Sequence, residues 1–194
     1  MIVRNFTDKD IEEASKITHL VWGDLYSKES AKLQKLIYDF TLEYYYLNKT
    51  FSFALDENGV KGLVFASLKK DKNNSVENFK TKIQDLSDDD RIVALNLLDY
   101  VENTGKEVKD VMNEDDLMMG LFISTQQGGG RMLLAKLVET AKNMDIKNIY
   151  LWTDTTCDFD YYQKNKFTLV KEIESCVNNK KINTLIFKKE IQKE

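Results

Sequence analysis

The chain has 194 residues, of which 42% are hydrophobic, and it carries a formal net charge of −4 and two cysteines. This size and apolar content predict one globular domain over 1–194, and the negative charge argues against general nucleic-acid binding. The cysteines form no CxxC motif, and no apolar run reaches the roughly 20 residues that a membrane span requires. We therefore expect a cytoplasmic monomer or homodimer with reduced thiols that binds neither nucleic acid nor membrane.

The first 68 residues alternate between strand and helix patterns. "IVRNF" predicts a strand, and Thr7 with Asp10 three residues later predicts the capped start of a helix. A second helix is expected from near Ser27 into "LQKLIYDFTLEYYY". The runs "TFSFAL" and "VKGLVFASL" are joined by "DENG", which is typical of a β-hairpin.

Residues 69–116 differ from the preceding part because they are mostly polar and charged. Phe79, Ile83 and Leu86 follow a helical spacing, and Ser87 can cap a second helix through "DDDRIVALNLLDYVE". The segment is too poor in apolar residues to fold independently. It is therefore predicted to be a helical insertion within the single domain.

The last third of the chain reads as strand, glycine turn, helix and three further strands. "LMMGLFIS" predicts a central buried strand because its apolar run is continuous. After Gly128, Gly129 and Gly130 comes a helix, and then the strand "NIYLWT". "CDFDYYQKNK" predicts a short helix or loop, and "FTLVKEIES" with "INTLIFKKE" predicts a closing pair of strands.

The three consecutive glycines predict an anion site. A strand, a glycine turn and a helix start place free backbone N–H groups and the positive end of the helix dipole together. A turn without a ligand is the simpler alternative, but three glycines followed by Arg131 favour a phosphate. The Rossmann and Walker patterns both fail, because Leu133 stands at the third Rossmann glycine and no Gly-Lys-Ser/Thr follows.

Two segments resemble motifs of the GNAT superfamily of acyl-CoA-dependent N-acyltransferases. "GGGRMLL" resembles the Gly-x-Gly-x-x-Leu-Leu core of that family's coenzyme A pyrophosphate loop, with Thr125 at its Arg/Gln position. "YYQKNKF" resembles Tyr-Glu-Lys-x-Gly-Phe, with Tyr162 and Phe167 matching and Lys166 in place of glycine. The order of the predicted strands and helices is also similar to that of the family.

The resemblance implies an α/β (α+β) fold with a mixed, mostly antiparallel central sheet of six to seven strands flanked by helices. A helical insertion would precede the central strand. The implied activity is transfer of an acetyl group from acetyl-CoA to the primary amine of a small molecule. The amine would attack directly in a ternary complex, so no nucleophilic cysteine and no metal would be needed.

The resemblance also implies roles for individual residues. The strand residues Leu121, Phe122 and Ile123 would bind the pantetheine arm through their backbone, and an N–H of Phe122 or Ile123 would polarise the thioester carbonyl. Thr155 would touch pantetheine, although an ordinary strand-end turn at Thr153, Asp154 and Thr155 is an equal alternative. The pyrophosphate would lie on the segment made of Gln127, Gly128, Gly129, Gly130, Arg131 and Met132.

Tyr162 is the expected proton donor to the leaving thiolate, with Tyr161 as the second choice because adjacent helical residues point about 100° apart. Asp116 is the candidate base, together with Glu114 and Asp115, although a solvated turn is the favoured interpretation of these three. Aromatic packing beside Phe159 and Phe167 is the structural alternative for Tyr162.

The acceptor side and the overall activity remain open at this point. The aromatic residues Trp22, Tyr44, Tyr45 and Tyr46 would flank the acceptor side, although such residues are more often core. The insertion would cover that end of the cleft, where its carboxylates would attract a cationic amine or form an ordinary solvated surface. A non-catalytic acyl-CoA sensor is one alternative function, and a methyltransferase-like or nucleotide-binding loop is the other.

Overall fold

A computed structural model of the chain describes residues 1–22, 26, 28–177 and 180–191. The described strands are β1 (Ile2–Asn5), β2 (Ser52–Asp56), β3 (Val60–Leu68), β4 (Leu117–Ser124), β5 (Asn148–Asp154), β6 (Thr168–Val177) and β7 (Lys180–Glu190). The described α-helices are α1 (Ile11–Trp22), α2 (Ala31–Tyr45), α3 (Ser75–Lys82), α4 (Asp88–Val111), α5 (Gly129–Asn143) and α6 (Asp160–Lys164).

The seven strands of the described residues form one sheet in the order β1-β2-β3-β4-β5-β7-β6. All neighbouring strands are antiparallel except β4 and β5, which are parallel. A parallel pair needs a crossover connection, and α5 provides it. The expected mixed, mostly antiparallel sheet with a helical insertion before the central strand is confirmed.

Alternation along β3 explains why helices cover both faces of the sheet. Val64 and Ala66 belong to the core under α5, whereas their neighbours Leu63 and Phe65 belong to the core under α1 and α2. Successive strand residues point to opposite faces, so a strand buried on both faces must be apolar at nearly every position. β3 meets this requirement, with all but two of its nine residues buried.

Residues 69–116 contain α3 and the 24-residue helix α4. Phe79 of α3 stacks on Phe40 of α2, with ring centroids 4.0 Å apart. The Ser87 hydroxyl caps α4 by accepting a hydrogen bond from the Asp90 N–H at 3.3 Å. The far end of α4 packs Val108 against the sheet, so the segment is anchored at both ends.

The expected starts of the first two helices have different outcomes. The Asp10 carboxylate accepts hydrogen bonds from the Thr7 N–H (2.8 Å) and hydroxyl (2.9 Å), as predicted, although a 3₁₀ turn over Asp8–Asp10 precedes α1. The second helix is capped by Ser30, whose hydroxyl accepts from the Leu33 N–H. Ser27, from which this helix was expected to start, lies outside the described residues.

A partly buried ion pair joins β1 to the turn that precedes α1. The Arg4 guanidinium donates two hydrogen bonds of 2.8 Å to the Asp10 carboxylate and a third of 2.8 Å to Asp56 of β2. Asp10 is only 8% exposed. The bonds from Arg4 lower the pKa of Asp10 to about 2, with the Thr7 N–H and hydroxyl adding to the effect.

We expect Asp10→Asn to lower the free energy of unfolding at neutral pH by about 2 kcal/mol, because Arg4 loses its charged partner. The folded pKa lies below the unfolded value near 3.8. The stabilisation is therefore complete above the unfolded pKa and disappears as the pH falls towards about 2. Urea unfolding at several pH values measures this. A difference between the two proteins that stays constant down to pH 2 would show that the charge of Asp10 contributes nothing to stability.

Candidate active site

β4 and β5 separate after three paired residues. Leu117, Met118 and Met119 pair with Ile149, Tyr150 and Leu151, and no pairing between the strands follows in the described residues. β4 shifts its register against β3 at this point, because Phe65 pairs with Leu121 and Ala66 pairs with Met119. Gly120 is thus a β-bulge residue, and bulges bend a strand away from its neighbour.

The ring of Tyr45 explains why residue 120 is a glycine. A Cβ atom on Gly120 would lie 2.2 Å from Cδ1 of Tyr45. The α2 ring therefore packs directly on the backbone of the bulge. The opening that results leaves alternate backbone N–H and C=O groups of the end of β4 directed towards the space where a neighbouring strand would pair.

The opening leads into a cleft of about 830 Å³. Its wall from the sheet includes Gly120, Leu121, Phe122, Ile123 and Ser124 on one side, and Trp152, Thr153 and Asp154 on the other. The start of α5 closes one end, and α2 closes the other. The expected pantetheine contacts Leu121, Phe122 and Ile123 thus line the cleft together.

The three glycines serve three different purposes. Gly128 has φ = +79°, a left-handed conformation that permits the turn into α5. A Cβ on Gly129 would lie 2.3 Å from Cδ2 of Leu55 and 2.5 Å from Oγ of Ser124, so this residue allows α5 to pack closely on β2 and β4. Gly130 faces the cleft, where a Cβ would come within 3.3 Å of Phe122 and 3.4 Å of the Tyr161 hydroxyl.

The turn leaves several backbone N–H groups free. Gly129 donates to Gln126 O and Met132 donates to Gly128 O. The N–H groups of Gln127, Gly128, Gly130 and Arg131 have no acceptor within the described part of the chain. They lie at the positive end of the α5 dipole, and Arg131 stands at the rim of the cleft, so this end favours an anion.

Only some of the residues expected to bind the pyrophosphate line the cleft. Gly128, Gly130 and Arg131 line the cleft, together with Gln126. Gln127 has a free N–H but its side chain is exposed, and Gly129 is buried in packing contacts. The Met132 N–H already forms the first bond of the helix, so Met132 cannot donate it to a ligand without breaking that bond.

Tyr162 and Tyr161 both line the cleft from α6. Tyr162 packs against Phe167 and Phe187, with ring centroids 5.8 Å and 5.9 Å apart. Burial raises the pKa of Tyr162 far above its ordinary value, and Cys157 adds to the shift. The Tyr162 hydroxyl is therefore protonated at neutral pH, as a proton donor must be.

The Tyr161 hydroxyl lies near the turn at the start of α5. Its ring lies 5.7 Å from that of Phe122, and the hydroxyl is near Gly130. This hydroxyl is buried and has no hydrogen-bond partner among the described residues. Burial raises the pKa of Tyr161, while Arg131 acts in the opposite direction. The hydroxyl is available to a ligand held beside the loop.

Asp116, the candidate base, is not brought to the cleft. It precedes β4 at the strand end opposite the loop, and it is 2% exposed. Its carboxylate accepts hydrogen bonds from the Asn113 N–H at 2.8 Å and from the Asn148 side chain at 2.7 Å. The bond from Asn148 links the start of β4 to β5, and Asp116 does not line the cleft. Glu114 and Asp115 are exposed outside the cleft.

Thr155 is also outside the cleft, contrary to the expected pantetheine contact. Its N–H donates to Asn183 O at 3.0 Å, and its hydroxyl accepts from the Asn183 N–H at 3.3 Å. These bonds extend the pairing of β5 with β7. Thr153, Asp154 and Thr156 do line the cleft.

The part of the cleft expected to receive the acceptor is aromatic, and residues 69–116 contribute apolar groups to it. Tyr44 and Tyr45 line the cleft, but Tyr46 packs instead on Phe6 at 4.9 Å between ring centroids. The side chain of Trp22 lies outside the described residues. The insertion contributes Leu97 and Val101. The carboxylates expected to gather a cationic amine do not line the cleft; these are Asp85, Asp88, Asp89, Asp90, Glu114, Asp115 and Asp116.

Asp154 lines the cleft, although the sequence pattern had indicated only an ordinary strand-end turn at this residue. It lies two positions after Trp152 on β5, and such residues share one face of a strand. This two-residue spacing was the feature of the sequence that could have predicted its position. In the described ranges, no group of three or more His, Cys, Asp and Glu side chains could hold a metal ion. None of the described helices combines the length and apolar content needed to cross a membrane.

Comparison with known proteins gives structural matches only. No protein-family model matches the sequence, and no curated protein matches it. The C-terminal condensation domain of Ebony, in complex with beta-alanyl-dopamine, is similar with a TM-score of 0.71, 8% identity and 98% of each chain covered. An agmatine N-acetyltransferase has a TM-score of 0.60 and 14% identity, covering 97% of this chain and 98% of its own.

A Desulfovibrio desulfuricans protein assigned to the GNAT family of acetyltransferases is similar with a TM-score of 0.57 and 10% identity. The match covers 98% of this chain and 99% of that one. At these identities the matches define the fold. The chain therefore has the GNAT fold, as its two motifs and its order of elements had indicated.

We expect Gly129→Ala to lower the free energy of unfolding by about 1–3 kcal/mol, because the new methyl group overlaps Leu55 and Ser124 in a packed layer. The neighbouring Gly130→Ala is the matched control. Its methyl group enters the cleft, so we expect a change within about 0.5 kcal/mol. Urea unfolding measures both. Equal destabilisation by the two substitutions would mean that the glycines do not have separate purposes.

Proposed function

We propose that the protein is an N-acetyltransferase that moves the acetyl group of acetyl-CoA to a primary amine of a small molecule. The carrying observation is the opening between β4 and β5, which runs from the free N–H groups of the α5 turn to the bulge at Gly120. The shared fold of the agmatine N-acetyltransferase supports this activity. In the proposal, residues 1–194 form one domain, and 69–116 is inserted in it.

The residues at the loop fit the pyrophosphate of coenzyme A. The free N–H groups of Gly128, Gly130 and Arg131 would donate to its oxygens, and the Arg131 guanidinium has no ion-pair partner among the described residues. Fixed N–H donors at a helix start are a strong anion site because the dipole adds to their charge. The buried Tyr161 hydroxyl would add a further donor.

The pantetheine arm would then run along the separated edge of β4. Its two amide groups could bond to strand residues from Leu121 to Ile123, as a peptide does when it extends a sheet. The thioester would lie near the bulge, where Gly120 presents no side chain. The amine would enter from the aromatic side and attack the carbonyl carbon directly, since both substrates are held at one point.

Departure of the thiolate needs a proton, and Tyr162 is the proposed donor. Tyr162 lines the cleft, and its hydroxyl remains protonated because burial raises its pKa. The incoming ammonium group must lose a proton before attack. With Asp116 bound to Asn113 and Asn148, the carboxylates that reach the cleft within the described part of the chain are Asp154 and Asp158.

The binding part of the proposal is tested by Gly130→Val. The branched side chain would fill the space that the phosphate needs beside Phe122 and Tyr161, so we expect CoA affinity to fall at least about tenfold. Ala135→Val is the control, because Ala135 lies on the exposed face of the same helix. Isothermal titration calorimetry measures both variants. Wild-type affinity in a folded Gly130→Val protein would remove the loop from the site.

The catalytic part is tested by Tyr162→Phe. Loss of a general acid costs about 100-fold or more in rate, so we expect kcat to fall by that factor while the KM for acetyl-CoA changes little. Tyr150→Phe is the control, since Tyr150 is a buried tyrosine outside the cleft. Release of free thiol measures turnover. An unchanged kcat would exclude Tyr162 as the donor, and CoA binding without transfer to any amine would favour the sensor.

A further inference from the structure

The cleft is lined by charges of both signs. The charged residues among its described lining are Arg131, Asp154 and Asp158. Arg131 stands at the start of α5 with the free N–H groups, whereas Asp154 is the last residue of β5 and Asp158 follows that strand. An anionic donor beside Arg131 and a cationic acceptor beside the carboxylates would each meet the complementary charge.

Among the described residues, the wall beyond the bulge is aromatic and carries no charged side chain. Tyr38, Phe40 and Tyr45 are buried and form its floor, whereas Tyr44 and Trp152 are half-buried at its surface. Leu97 and Val101 of α4 complete it. A second ammonium group placed against this wall would lose water without gaining a counter-charge, so an aliphatic diamine fits poorly. A ring fits well, because its faces and edges pack on other rings.

Asp154 lies at the border of this wall. It shares the face of β5 with Trp152, and its charge reaches the hydroxyl of Tyr100, which stands 5.4 Å from Trp152 between ring centroids. Burial raises the pKa of Tyr100 to about 12, and Asp154 adds to that shift. Both hydrogen bonds to the Asp154 carboxylate come from Thr156, and both are accepted by Oδ1. Oδ2 accepts none from the described residues.

We infer that the acceptor is an aromatic primary amine, bound with its ring on the wall formed by Tyr44 and Trp152 and its ammonium group paired with Asp154. This inference rests on the proposed acetyl transfer. The ammonium group would lie beside the carboxylate of Asp154, which supplies its counter-charge. Asp154 thereby acts as a specificity-determining residue at the substrate's reacting end.

The first test compares three amines at a fixed acetyl-CoA concentration. 2-Phenylethylamine and 2-cyclohexylethylamine have nearly the same size and the same charge, but only the first has a π-system. We expect kcat/KM for 2-phenylethylamine to exceed that of the cyclohexyl compound by about threefold and that of agmatine by about tenfold. Equal or higher values for agmatine would overturn the inference while leaving the acetyltransferase activity established.

The second test isolates the charge of Asp154. Asp154→Asn keeps the Oδ1 acceptor for Thr156 and removes the charge, so we expect the KM for 2-phenylethylamine to rise about tenfold. Neutral 2-phenylethanol, measured as a competitive inhibitor, should keep its inhibition constant. Asp99→Asn is the control, because Asp99 is exposed on α4 outside the cleft. An unchanged amine KM in Asp154→Asn would overturn the pairing.

A binding experiment separates failure of the inference from failure of the proposed function. If no amine is acetylated, calorimetry with CoA and then with 2-phenylethylamine still measures both ends of the cleft. Amine binding that weakens about tenfold in Asp154→Asn supports the inference, and absence of amine binding overturns it. Absence of CoA binding instead overturns the proposed function.

Discussion

The contact between Tyr45 and Gly120 controls the shape of the cleft. The ring of Tyr45 lies so close to the Gly120 backbone that no side chain fits there, and Gly120 is the bulge residue at which β4 leaves β5. Without the bulge, β4 and β5 would pair along their full lengths and the space between them would close. The ring also lines the cleft, so a single contact shapes both the opening and part of the cleft wall.

The turn into α5 depends on the same strand. The Ser124 hydroxyl, at the end of β4, donates to Gln126 O and lies against Gly129. These contacts hold the start of the helix close to the strand, so Gly128, Gly130 and Arg131, whose N–H groups are free, lie beside the cleft. A bound anion would therefore be positioned by the sheet itself, which is rigid, and not by a mobile loop.

Local sequence patterns were sufficient to predict the strands, the helices and the glycine loop. They did not predict the parts of the site that depend on residues distant in the chain. The alternation of β3 and the three glycines are signals carried by neighbouring residues, and both correspond to observed structure. Asp116 and Thr155 were misplaced because their roles depend on distant partners, Asn148 and Asn183, which no local pattern identifies. The bulge at Gly120 could not be predicted from the sequence either. The ring that packs on it belongs to Tyr45 of α2, about 75 residues earlier.

The central claim is that the gap between β4 and β5 and the turn into α5 together bind coenzyme A. A crystal structure with CoA tests it most directly. The account predicts pyrophosphate oxygens within hydrogen-bond distance of the N–H groups of Gly128, Gly130 and Arg131, with pantetheine amides bonded to the β4 edge beyond Gly120. Coenzyme A bound elsewhere, with the gap occupied only by water, would contradict the account.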